Sequence, residues 1–235
     1  MEQDMIFEPS ADLAKSALID ADGYAALYQE SIANPDQFWA EHGKRIDWIK
    51  PYSQISDVSY DAKDLHIKWY ADGTLNASVN CLDRHLQSRG DQTAIIWEGD
   101  DSNDQRHISY RELHEEVCKF ANVLKANGAQ KGDCITIYMP MIPEAVVAML
   151  GCARLGAVHS VVFGGFAAAE LAKRIDDATP KAIISASCGH EPNRIVSYKP
   201  LLDEAIELST HKLDACVVFQ REALQADLVE GRDLE

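Results

Sequence analysis

From residue 93 onward, short apolar runs alternate with longer segments that carry apolar residues at helical spacing. Runs of this length, rich in β-branched residues and bounded by turn residues, are typical of strands. The predicted strands are TAIIWE from Thr93, HISY from His107, CITIYMP from Cys134, HSVVFG from His159, AIISAS from Ala182 and ACVVFQR from Ala215. The predicted helices are RELHEEVCKFANVLKANG, PEAVVAMLGCARLG, AAAELAKRIDDA and KPLLDEAIELS.

The first of these helices carries its own start and stop signals. Ser109 and Glu112 have the spacing of a capping box, and Gly128 suits the helix end. One face is apolar at helical spacing, through Leu113, Val117, Phe120, Ala121 and Leu124. Pro143 is likewise well placed in the first turn of the second helix.

Strands that alternate with helices of ten or more residues predict an α/β fold. We expect right-handed crossovers and a largely parallel sheet with helices on both faces. Residues 81–235 make up this part. Residues 25–80 are rich in aromatic residues and turn signals, which is typical of a segment that wraps a larger domain. Residues 1–24 are expected to form a short helix or to be partly disordered.

Charge and cysteine content narrow the class of partner and the compartment. The 38 acidic and 22 basic residues give a net charge of -16, which repels phosphate backbones and anionic lipid, so nucleic acid and membranes are not expected partners. No apolar run reaches the roughly 18 residues that a membrane span needs. Six dispersed cysteines without a CxxC motif, and no signal-peptide pattern, predict reduced thiols in the cytoplasm.

Ligands of open α/β sheets collect beyond the carboxyl ends of the strands, where two segments stand out. FGGF (163–166) is either a backbone approach to an anion, through Gly164 and Gly165, or a tight turn. ASCGHEPNR (186–194) is either an anion-binding turn or a plain surface loop. A metal site at Cys188, His190 and Glu191, or at His114 and Cys118, is a weaker alternative, because each set offers few ligands in tight spacing. The P-loop and GxGxxG motifs are absent.

Several longer segments resemble one enzyme family. They include WYADGTLNASVNCLDRHL, ISYRELHEEVCKFANVLK, YMPMIPEAVVAMLGCARLGAVHSVVFGGF and EGRDLE. From about residue 24 onward the sequence resembles the amino-terminal part of AMP-forming short-chain acyl-CoA synthetases, with acetyl-CoA synthetases the most similar. The resemblance implies the large domain of an adenylate-forming enzyme, which activates acetate or propionate with ATP and Mg²⁺ and passes the acyl group to coenzyme A.

The resemblance also implies a part of the coenzyme A site. The implied residues are Gly164, Gly165, Glu191, Pro192, Asn193 and Arg194. In acetyl-CoA synthetases arginines of the second segment meet the nucleotide end of coenzyme A. Arg194 matches one of them, whereas Glu191 stands where another is often found. SASCGHEPNRIVSYKPLLDEAI is more similar to propionyl-CoA synthetases, so the resemblance leaves acetate and propionate both open.

The resemblance further implies that the adenylate-forming loop, the acyl pocket and the catalytic lysine of the family lie beyond residue 235. We therefore expect an amino-terminal fragment that carries no catalytic or metal-ligating residue, binds none of these cofactors tightly, is inactive alone, and has the remainder of the parent chain as a partner. The alternative is a non-catalytic α/β module that binds a nucleotide or a protein.

Overall fold

The structure, a computed structural model, describes residues 7–99, 103–191 and 194–235. The described residues up to Leu75 form one compact unit, and those from Asn76 onward form another. Helix Ala21–Ala33 runs across the boundary expected between residues 24 and 25, and helix Ala77–Cys81 runs across the one expected between 80 and 81. Among the described residues, no helix has both the length and the apolar character needed to cross a bilayer.

The first unit contains three α-helices, one short 3-10 helix (Gly43–Arg45) and a small sheet within the described residues. The helices are Ala11–Ser16 (α1), Ala21–Ala33 (α2) and Pro35–His42 (α3), and the antiparallel strands are Ser56–Ser59 (β1) and His66–Trp69 (β2). Side chains cap two of the helices, because Ser10 accepts from the amide of Leu13 and Asp20 accepts from that of Gly23.

Aromatic side chains of this unit pack on one another. Trp48 lies 4.9 Å from Tyr52 and 5.5 Å from Tyr70, measured between ring centroids. Their polar atoms reach backbone carbonyls: Trp48 Nε1 donates to Gly43 O (2.8 Å) and Tyr52 Oη to Ala40 O (2.6 Å). The aromatic residues thus join α3 to the segment that follows it. That this segment wraps a larger domain stays a prediction.

The second unit has the predicted α/β architecture, built around a five-stranded sheet with strand order β11-β10-β7-β5-β6 in which all pairings are parallel. Two antiparallel pairs, β3 with β4 and β8 with β9, stand apart from it. The strands are Thr93–Glu98 (β3), Gln105–Ser109 (β4), Cys134–Met139 (β5), Val158–Phe163 (β6), Ala182–Ala186 (β7), Cys188–Glu191 (β8), Arg194–Ser197 (β9), Ala215–Phe219 (β10) and Asp233–Leu234 (β11). The helices are Ala77–Cys81 (α4), Leu86–Arg89 (α5), Tyr110–Ala126 (α6), Pro143–Leu155 (α7), Ala168–Ala178 (α8) and Lys199–Leu208 (α9).

Helices cover both faces of the sheet, as predicted. Ile135 and Ile137 of β5 belong to a core that includes Leu124 of α6 and Cys152 of α7. Tyr138 points to the other face, where the core includes residues of α8 and α9. Alternate residues of one strand therefore enter two different cores, which is the side-chain period of a buried strand.

The capping box predicted for α6 is present. Ser109 Oγ accepts from the amide of Glu112 (3.2 Å), and the Glu112 carboxylate accepts from the amide of Ser109 (2.8 Å). These hydrogen bonds lower the pKa of Glu112. Gly128 lies just beyond the helix with φ of +82°, a conformation that favours glycine, so the predicted stop is also confirmed.

A buried ion network fixes strand β11 to helix α9. Lys199 Nζ lies 2.6 Å from the Asp203 carboxylate and 3.0 Å from that of Asp233, and Arg232 contacts the same two carboxylates. The side chain of Asp233 is 0% exposed and that of Lys199 is 5% exposed. Burial alone would raise the pKa of Asp233, but hydrogen bonds led by that from Arg232 outweigh it and lower the pKa to about 2.

We predict that Asp233→Asn destabilises the chain by about 3 kcal/mol at pH 7, because it leaves buried cations short of a counterion. Chemical denaturation measures the loss. The control is Glu116→Gln, which breaks an exposed pair with Lys119 (2.7 Å) and should cost less than about 0.5 kcal/mol.

Because the pKa of Asp233 is lowered from 3.8 to about 2, its stabilising contribution is present above pH 4 and lost as the pH falls toward 2. Equal losses for both variants at pH 7 would contradict the role of the network.

Candidate functional site

A cavity of about 660 Å³ lies at the carboxyl ends of β5 and β6. This is the edge of a parallel sheet where ligands are expected. The two small hairpins, β3–β4 and β8–β9, also contribute to its walls. Its lining consists of Trp97, Glu98, Gly99, Asp104, Met139, Pro140, Met141, Ile142, Val161, Val162, Phe163, Gly164, Gly165, His190, Glu191, Tyr198 and Arg221.

The FGGF segment forms a tight turn after β6 and lines this cavity. The amide of Phe166 donates to the carbonyl of Phe163 (3.1 Å). A Cβ added to Gly164 would meet the Tyr198 hydroxyl and lie 3.1 Å from Met139 O, and one added to Gly165 would lie 2.6 Å from the Phe163 ring. Packing against Tyr198 and the Met139 backbone therefore favours glycine at position 164, whereas the exposed Phe163 ring could move away from a side chain at 165, and both glycines border the cavity. Of the two alternatives that the sequence left open, the tight turn is present, and the backbone approach to an anion stays a prediction.

Most of the segment after β7 forms paired strands, where the sequence suggested an anion-binding turn or a plain surface loop. Cys188–Glu191 and Arg194–Ser197 pair as antiparallel strands, with Gly189 opposite Val196 and Glu191 opposite Arg194. The predicted site residues Pro192 and Asn193 lie outside the described residues. The polar, glycine-containing run concealed the hairpin because its strands are four residues long and do not alternate between apolar and polar residues.

Arg194 is held by Glu191 across the end of this hairpin. Arg194 Nη2 lies 2.6 Å and Nε 2.8 Å from Glu191 Oε2. The two side chains are 69% and 43% exposed, so the pair contributes little to stability. Glu191 lines the cavity together with Gly164 and Gly165, whereas Arg194 lies outside the lining. The structure thus brings three of the predicted residues to the cavity and places Arg194 against one of them.

Sequence reasoning missed two cavity residues, Tyr198 and Arg221. Tyr198 is 7% exposed and stacks on Tyr138, with 5.1 Å between ring centroids. Burial raises the pKa of Tyr198, which keeps its hydroxyl protonated. Arg221 follows β10, and its Nη1 donates to the carbonyl of Cys188 (3.2 Å). The rule that ligands collect beyond strand ends would have indicated Arg221, but no local signal marks Tyr198.

The metal alternatives find no ligand set in the described part of the chain, where no group of three or more His, Cys, Asp or Glu residues is arranged to hold an ion. Cys188 is buried, whereas His190 is exposed and lines the cavity. His114 Nε2 lies 3.5 Å from Cys118 Sγ and 3.4 Å from the Asp83 carboxylate. We assign none of these residues to a metal.

Comparison with protein families gives two matches that together cover most of the chain. A family described as "AMP-binding enzyme" matches residues 82–231, and one described as "Acetyl-coenzyme A synthetase N-terminus" matches residues 24–81.

Individual relatives with similar sequences are named acetyl-coenzyme A synthetases. An acetyl-coenzyme A synthetase of Shewanella amazonensis is 53% identical over 234 residues, which is 99% of this chain and 36% of that protein. One of Methylocella silvestris is 50% identical over 231 residues, 98% of this chain and 36% of that protein. Among solved structures, the acetoacetyl-CoA synthetase of Streptomyces lividans matches with a TM-score of 0.73 and 22% sequence identity. The match covers 94% of this chain and 36% of that one. This likeness shows the fold. The chain spans about a third of the length of these curated relatives.

The contact between Gly164 and Tyr198 can be tested by a double-mutant cycle. Gly164→Ala places a methyl group against the Tyr198 hydroxyl, so we predict a loss of about 1–3 kcal/mol in the free energy of unfolding. In the background of Tyr198→Phe, which removes only the hydroxyl, the same change should cost less. Denaturant unfolding of the four proteins measures both losses. The same cost in both backgrounds would show that the hydroxyl does not require glycine at position 164.

Proposed function

The chain belongs to the AMP-binding enzyme family, and from this premise we propose that the protein containing it is an AMP-forming acetate–CoA ligase. The proposed reaction has two steps. The acetate carboxylate attacks the α-phosphate of ATP, which forms acetyl-AMP and releases pyrophosphate. The thiol of coenzyme A then attacks the acetyl carbonyl, which gives acetyl-CoA and AMP and releases the thiol proton.

One observation carries this proposal: identity to acetyl-coenzyme A synthetases stays at 50–53% over nearly the whole chain. The names of these relatives favour acetate over propionate. Both substrates remain within the scope of the proposal, since the hairpin segment is more similar in sequence to propionyl-CoA synthetases. We also propose the division of the chain at residues 24/25 and 80/81: the family matches at 24–81 and 82–231 support it to within one residue, although each boundary falls inside a helix.

We propose that this chain supplies one wall of the coenzyme A site, at the cavity beyond β5 and β6. The FGGF turn would accept the thiol-bearing arm, because Gly164 and Gly165 present no side chain. Arg194, the first residue of β9, would pair with a phosphate at the nucleotide end of coenzyme A. Pro192, Asn193 and Glu191 would flank it. ATP and Mg²⁺ are proposed as substrate and cofactor of the whole protein.

We propose that this chain lacks the groups that stabilise charge in the adenylate-forming step. They would lie in the part of the relatives' length that this chain does not span. Preorganised donors and cations at the transferring phosphoryl group are usually the largest contribution to such catalysis. We therefore propose that residues 1–235 alone bind the substrates weakly and do not turn them over. The dispersed cysteines, all free among the described residues, are consistent with the proposed cytoplasmic location.

The Glu191–Arg194 pair makes the coenzyme A assignment testable in the complete protein. A charge-assisted hydrogen bond contributes about 1.5–3 kcal/mol, so we predict that Arg194→Ala weakens coenzyme A binding about tenfold or more. Glu191→Gln should have the opposite effect, because it frees Arg194 from a carboxylate 2.6 Å away. The measurements are the KM for coenzyme A in acetyl-CoA formation and the rate of acetate-dependent ATP–pyrophosphate exchange.

Pyrophosphate exchange is the control in this experiment, because it does not require coenzyme A and should be the same in both variants. Equal damage to exchange and to thioester formation by Arg194→Ala would contradict the role of Arg194. The absence of acetate-dependent and propionate-dependent exchange in the unchanged complete protein would contradict the proposed ligase activity itself.

A further inference from the structure

Arg221 lines the cavity together with the carboxylates of Glu98, Asp104 and Glu191 but makes no ion pair with them. It forms no ion pair with a carboxylate in residues 7–99, 103–191 or 194–235, although acidic residues outnumber basic ones 38 to 22 in the sequence. It is also the one lysine or arginine among the described residues that line the cavity. Its contact with the Cys188 carbonyl (3.2 Å) uses one of the five N–H donors of a guanidinium. Further donors of Arg221 therefore remain for a ligand.

Tyr198 supplies a second donor to the same cavity. Its ring is fixed between Tyr138, on which it stacks, and Gly189, where an added Cβ would lie 2.8 Å from the ring. The hydroxyl of Tyr138 donates to Phe166 O (2.9 Å), whereas the hydroxyl of Tyr198 makes no hydrogen bond to any described residue. Because Tyr198 borders the cavity, its hydroxyl can donate to a ligand or to water there.

One buried residue, Ser187, fixes the backbone beneath both side chains. Its carbonyl accepts from the amide of Tyr198 (3.0 Å), and its hydroxyl accepts from the amide of Arg221 (2.9 Å). Ser187 also donates its own amide to Phe219 O, at the end of β10 (2.9 Å). The backbones of Tyr198 and Arg221 are therefore held by the same residue at the carboxyl edge of the sheet, which limits the backbone freedom that binding would remove.

We infer that Tyr198 and Arg221 bind a phosphate group of the ligand in this cavity, as a donor pair additional to Arg194. Arg221 can only donate hydrogen bonds and the Tyr198 hydroxyl can donate one, so a ligand group with several acceptor oxygens fits both, and a guanidinium prefers an anionic oxygen. Arg194 is already paired with Glu191 and lies outside the lining, whereas Arg221 lines the cavity together with Gly164 and Gly165 of the FGGF turn. The naming of coenzyme A as the ligand rests on the proposed function, whereas the donor pair rests on the geometry.

The test measures ligand binding to the 235-residue chain by ligand-observed NMR, which detects millimolar affinities. The probes are coenzyme A, pantetheine and inorganic pyrophosphate, and the variants are Tyr198→Phe and Arg221→Gln. We expect the dissociation constant of coenzyme A to rise about three- to tenfold for Tyr198→Phe and about tenfold or more for Arg221→Gln. Binding of pantetheine, which lacks the phosphates, should be unchanged. Arg89→Gln, the same change of charge outside the cavity lining, is the matched control and should leave all three unchanged.

Two of the outcomes separate the donor pair from the coenzyme A assignment. If coenzyme A binds the unchanged chain and both variants equally, the donor pair is wrong and the proposed function stands. If coenzyme A does not bind but pyrophosphate binds and is lost in the variants, the donor pair is supported and the coenzyme A assignment fails. If neither probe binds the unchanged chain, both are overturned. Thermal unfolding confirms that each variant is folded, and Arg221→Lys, which keeps the charge, should retain part of the affinity.

Discussion

Strand β5 pairs along its length with β6 on one side and with β7 on the other. Its residues from Ile135 to Met139 are buried, and alternate side chains enter the cores on opposite faces of the sheet. Because all the pairings are parallel, the carboxyl ends of β5, β6 and β7 meet at one edge. The chain leaves that edge at Pro140 after β5 and at the FGGF turn after β6, and residues of both segments line the cavity.

The cavity depends on close packing as well as on strand direction. Gly164 and Gly189 leave room for the ring of Tyr198, which places the Tyr198 hydroxyl next to the turn that follows β6. Ser187 ties the start of the β8–β9 hairpin to the end of β10 through its amide and its hydroxyl. The ion network of Lys199 and Asp233 connects α9, which begins directly after Tyr198, to strand β11. The position of the site therefore follows from contacts that also stabilise the sheet.

Local sequence signals predicted the α/β class, the alternation of the central strands and helices, and the capping box of α6, because each depends on residues a few positions apart. The FGGF turn was also visible in the sequence, and so was its place at the end of a strand. The β8–β9 hairpin was not, since it pairs two four-residue strands without an alternating pattern. The sequence could not show that Tyr198 and Arg221 line the same cavity. Their proximity depends on Ser187 and on tertiary contacts between β7, β10 and α9.

The central claim is that a phosphate-bearing ligand binds at the carboxyl edge of the sheet. The most direct measurement is a two-dimensional NMR spectrum of the chain labelled with [¹⁵N]glycine, recorded with excess coenzyme A. Gly164, Gly165 and Gly189 lie at the cavity or against Tyr198, whereas Gly132 and Gly156 precede β5 and β6 at the opposite edge. The account predicts shifts for the first three amides and none for the other two. Shifts confined to Gly132 and Gly156 would contradict it.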